Sequence, residues 1–120
     1  MKIDDLLVEK IGENGFAAKK AAEKLKKEFY SVEFTVEKLE LKNIKKSLIK
    51  IGKIIEENID DCYYVAVVGA GVFNMNPAIV IVKLLDKKVK IIAYAKEGLI
   101  KQDTTKKAVD RVVKELKKYK

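Results

Sequence analysis

The chain has 120 residues, 48% hydrophobic and 37% charged, which is the balance and length of one globular domain able to bury a core of its own. It holds no histidine and one cysteine, Cys62, so an internal disulfide, a two-thiolate metal site and the usual neutral-pH general base are excluded. The formal net charge of +8 is uneven: residues 1–60 carry 13 cations and 12 acids, and residues 61–120 carry 13 cations and 6 acids.

No apolar run approaches the roughly 18 residues of a membrane span, and the opening MKIDDLLVEK is too acidic and broken for a signal peptide. A soluble, cytoplasmic domain with no membrane partner is expected. The excess of lysine and glutamate, with one arginine and one proline, is a habit of heat-adapted proteins and equally of AT-rich genomes.

In chain order, IDDLLVEKIGENG predicts a helix that starts at Asp4 and Asp5 and stops at Asn14-Gly15. FAAKKAAEKLKKEF predicts a second, with Ala18, Ala21, Ala22, Leu25 and Phe29 at helical spacing. YSVEFTVEKLEL alternates, with Val32, Phe34 and Val36 on one side of a half-buried strand, and its phase slips before Leu39. Asn43 is expected to cap a helix over IKKSLIKIGKIIEEN, on the stripe Ile44, Leu48, Ile51 and Ile55. CYYVAVVGAGV, apolar on both faces, predicts a central strand. Asp103 or Thr104 is expected to cap a last helix that turns Val109, Val112, Val113 and Leu116 inward.

The stretch VVGAGVFNMNP raises the question of a ligand loop. If residues 77–87 were a helix, with Asn76 and Pro77 at its start, the unit would resemble the dinucleotide-binding fingerprint, with Glu97 as its ribose acid. Asn74 stands where a third glycine belongs, and Pro77 would fall in the second turn of a helix begun at the glycines. The run Ile79, Val80, Ile81 and Val82 instead favours a strand, turning at Asp86 into a second strand, with Val89, Ile91, Ala93 and Ala95 on one face. Gly69 and Gly71 then allow a bulge or a close backbone approach. The loop remains a ligand-binding candidate through Gly69, Gly71, Asn74, Asn76, Lys96 and Glu97.

The expected fold is α+β: one or two helices, a strand, a helix, a three-strand antiparallel meander and a final helix. The helices are expected mainly on one face of a four-stranded sheet. The helix, meander and helix portion resembles roadblock- and profilin-like scaffolds in element order, which carries no function with it.

On the last helix Lys107, Arg111, Lys114 and Lys118 form one stripe at 100° per residue. Such a stripe suits an acidic partner or a phosphate backbone, although lysine in place of arginine argues against reading bases. Asp60 and Asp61, near Glu56 and Glu57, read as a helix end and its turn. YAKEGLIKQD reads as a surface turn, and Cys62 as a small packed hydrophobe. No catalytic, metal or cofactor residue is assigned. The functional expectation is a non-enzymatic binding or assembly module, self-associating to cover the sheet face its helices leave open. The alternatives are a nucleotide or phosphate-ligand protein using the glycine loop, and a sequence-independent nucleic-acid binder.

Overall fold

The computed structural model describes residues 2–69, 77–96 and 103–119. The chain runs α1 (Ile3–Glu13), α2 (Lys19–Ala22), a 3₁₀ turn (Glu23–Glu28), β1 (Tyr30–Thr35), α3 (Leu41–Ile51), β2 (Gly52–Asn58) and β3 (Tyr63–Gly69). It continues through β4 (Pro77–Leu85), β5 (Lys88–Tyr94), α4 (Thr104–Leu116) and a closing 3₁₀ turn (Lys117–Tyr119). The class is α+β, as the alternation of patterns requires.

The five strands lie in the order β1-β5-β4-β3-β2, every neighbour antiparallel. The segment containing α3 therefore carries the chain from one sheet edge to the other, and the meander returns it to β1. Residues 77–85 are extended, so the β-branched run decides their conformation, and β4 turns into β5 at Asp86-Lys87, with Lys87 in the left-handed region (φ 55°).

Three expectations need correction. The sheet has a fifth strand, because α3 ends at Ile51 and the chain bends at Gly52 directly into β2. The helix expected to run on through GKIIEEN is half strand. Its cap is Glu40, whose side chain accepts the backbone N–H at Asn43, while the Asn43 side chain accepts the Glu40 N–H at 3.1 Å. That is a reciprocal capping box three residues upstream of the expected start. The second predicted helix is only one α-turn, continued as 3₁₀.

The third correction concerns the layers. Strand residues alternate between two cores, as period 2 requires. Ala66, Val68, Val80, Val82, Ile91 and Ala93 face α3 and α4, whose Ile44, Leu48, Val109, Val112 and Leu116 complete that core. Val65, Ile79, Ile81 and Ile92 face the other way, onto Leu7, Val8 and Ile11 of α1 and Ala22 of α2. Helices thus cover both faces, and the bare face that argued for a partner subunit is filled by the chain's own first helix. Each fully buried Leu or Ile of this kind stabilises by about 2–3 kcal/mol relative to exposure, which is what fixes α1 in place. Among the described residues no helix is long and apolar enough to cross a membrane.

Candidate anion-binding face

Helix α4 turns Ala108, Val109, Val112 and Leu116 into the core, so 3.6-residue periodicity sends Lys106, Lys107, Asp110, Lys114, Lys117 and Lys118 to solvent. Helix α3 lies beside it on the same sheet face and buries Ile44, Ser47 and Leu48. Its outward residues are Lys42, Lys45, Lys46, Ile49 and Lys50. The two helices therefore form one layer with a common outer surface.

That layer, with its closing 3₁₀ turn, contains ten cations and two carboxylates (Asp110 and Glu115), a balance of +8. The whole chain has 26 cations and 18 acids, so the remaining 16 cations and 16 acids cancel. The entire net charge of the protein sits on one layer. In the layer across the sheet, residues 3–28 hold six cations and six acids. A one-signed surface of this kind raises the local concentration of an oppositely charged partner.

The predicted stripe is not uniform. Lys107 and Lys114 are exposed and make no ion pair among the described residues. Arg111, the only arginine, is half-buried and donates to the Gly69 carbonyl at the end of β3. The stripe and the glycine segment, two separate candidates in the sequence, meet there, 42 residues apart in the chain. Lys118 donates to Glu115, whose carboxylate also takes Lys50 of α3 at 3.3 Å. This triad pins α3 to α4, as the 2.8 Å pair Lys45–Glu57 pins α3 to β2.

The Lys118 hydrogen bond holds the Glu115 carboxyl below the usual carboxylate range, against the pull of burial and with help from Lys50. A group with a depressed folded pKa adds stability above its unfolded value and loses it as pH falls through the folded one. The melting temperature is therefore expected to fall between about pH 5 and about pH 3, and Glu115→Gln should reduce that fall. Thermal melts of both proteins across this range check it: the gap between them, present at pH 7, should close in acid.

Of the glycine-loop residues, Gly71, Asn74, Asn76 and Glu97 lie outside the described residues. Gly69 pairs with Pro77 across β3 and β4, and a Cβ there would meet only the Arg111 guanidinium at 3.7 Å, so close backbone approach is not its reason. Lys96 is exposed just beyond β5. Because Pro77 opens a strand, residues 77–85 supply no helix N-terminus to receive a phosphate.

A network beneath α1 has no local signature in the sequence. Lys10, 7% exposed, reaches Glu56 at 2.8 Å and Glu13 at 3.2 Å, and Tyr63 donates to Glu56 at 3.0 Å while accepting from Asn58 at 3.2 Å. Burial pulls the Lys10 amine down, but the two carboxylates outweigh it and leave it above its ordinary value; burial also pushes the Tyr63 phenol up. Every polar group has its partner, so the network reads as a clamp of α1 onto β2. Asp60 and Asp61 sit in the β2–β3 turn, where Asn58 Oδ1 accepts the Asp61 N–H at 2.9 Å. Cys62 is half-buried at that turn in the left-handed region (φ 57°), a position of local geometry more than core packing. Among the described residues no group of three or more Cys, Asp or Glu could hold a metal ion.

Compared with models of protein families, with curated proteins and with solved structures, the chain matches none of them.

Proposed function

We propose that this protein is a non-enzymatic binding module that docks on the sugar-phosphate backbone of duplex nucleic acid through the α3–α4 layer, without reading sequence. The observation that carries this reading is the concentration of the whole +8 on that one layer. Phosphate contacts need cations at loose spacing, and lysine, a mobile point charge, suits them. Base reading would call for bidentate arginine, and the one arginine is tied to the Gly69 carbonyl. Single strands are held by stacking on exposed aromatic rings. The only aromatic side chain of the layer among the described residues is Tyr119, half-buried at its end, so a duplex fits better than a single strand.

Titration of labelled duplexes of unrelated sequence, from about 50 mM salt upward, tests this. Affinities should agree between sequences, and log K should fall linearly with log salt at about 0.9 per phosphate neutralised. Absence of binding at low salt, where phosphate attraction is greatest, removes the reading. Assembly, the leading expectation from sequence, no longer has an open sheet face in its favour; what favours it now lies at a sheet edge.

A further inference from the structure

We infer that a second copy of this chain docks antiparallel along the free edge of β2. As the last strand of the sheet, β2 leaves one row of backbone donors and acceptors without a strand partner among the described residues. Beside it runs a groove of about 470 Å³ lined by Lys45, Ile49, Gly52, Lys53, Ile54 and Ile55. Ile49 on α3 and Ile59 just past β2, 59% and 57% exposed, are the large exposed hydrophobics among the described residues, and they flank this strand.

The charges along β2 identify the occupant. The strand carries Lys53 near its start and Glu56 and Glu57 near its end. Its bulge between Ile54 and Glu56 brings Lys53 and Glu56 to the same side of the sheet, since they pair with Val67 and Val65 of β3; Gly52 and Glu57, opposite Val68 and Tyr64, share the other side. A two-fold axis perpendicular to the sheet and centred on the bulge therefore keeps Lys53 and Glu56 of the two copies on one side and Gly52 and Glu57 on the other. It sets Lys53 of each copy opposite Glu56 of the other, an opposite-charge cross-strand pair made twice. Lys53 makes no ion pair among the described residues, and Glu56, held by Lys10 at 2.8 Å and Tyr63 at 3.0 Å, still keeps 34% of its side chain exposed. At the other edge, β1 carries one charge, Glu33, so two antiparallel copies of it have no cation to set against a carboxylate. The pairing also brings the two α3–α4 layers onto one side of a continuous sheet, although it rests on none of the nucleic-acid reading.

Sedimentation equilibrium of the purified chain, without nucleic acid, tests it. The expected mass is twice 13.6 kDa. Lys53→Glu, which sets carboxylate against carboxylate on both sides of the axis, should raise the dissociation constant about tenfold, and Ile49→Asp should weaken it as well. Lys53→Arg, and Lys38→Glu with the same charge change elsewhere, should leave it alone. Circular dichroism confirms that each variant is folded. A monomer at every concentration overturns the inference, and so does a dimer indifferent to Lys53→Glu and Ile49→Asp.

Discussion

Gly52→Ala is expected to destabilise the protein by about 3 kcal/mol, a drop of roughly 10–15 °C in melting temperature for a domain of this size. A Cβ at position 52 would lie 2.3 Å from the Val67 carbonyl oxygen and 3.0 Å from Val68 Cγ2. The oxygen belongs to the β3 backbone, so it cannot swing aside as a side-chain tip would. The backbone of Gly52 is extended (φ −167°), which any residue adopts, so the cost is steric and not conformational. Relief would require β2 to lift from β3 where α3 hands over to the sheet with no linker. Gly69→Ala is the internal control: its added methyl meets only the Arg111 guanidinium at 3.7 Å, ordinary contact, and its melting temperature should stay within about 2 °C. Thermal melts of the two variants decide the matter. Equal melting temperatures would mean that the α3–β2 corner is not built as described.

That same corner marks where the sequence stops being readable. Ile44, Leu48, Ile51 and Ile55 keep helical spacing straight through Gly52, so a local pattern extends the helix past its end. The bulge hides the strand from the opposite test, because Ile54-Ile55 and Glu56-Glu57 stand as adjacent like pairs and period 2 vanishes. The β4–β5 hairpin was legible for the converse reason: four consecutive β-branched residues contradict a helix within a single window. Leu7 and Ile11 declare a helix, but nothing local says which face of the sheet it will cover. For the candidate site, the stripe on α4 follows from periodicity alone. That α3 adds its lysines to the same surface, that Arg111 turns to Gly69, and that Lys10 finds Glu56 46 residues away are consequences of tertiary packing. Electrostatic sums over a surface become visible only once the surface exists.

If the α3–α4 layer holds a duplex, reversing three of its unpaired cations should nearly abolish binding. Lys46, Lys107 and Lys114 are exposed and make no ion pair among the described residues, so Lys46→Glu, Lys107→Glu and Lys114→Glu together should cost little stability. Each reversal removes two units of charge, taking the chain from +8 to +2. Affinity for a duplex at low salt should fall about 100-fold or more, and the salt slope should shrink by about 3. A second triple variant separates place from total charge: Lys20→Glu, Lys24→Glu and Lys27→Glu lie across the sheet, on α2 and the turn that follows it, where the lysines are also exposed. It reaches the same +2 but leaves the layer intact. Long-range attraction weakens in both variants and is screened beyond about 10 Å at 0.1 M salt, so above that concentration only contacts within the layer distinguish them. The first triple should then bind far more weakly than the second. Equal losses in the two would reduce the layer to a bystander of net charge, and no loss in the first would mean that no duplex rests there.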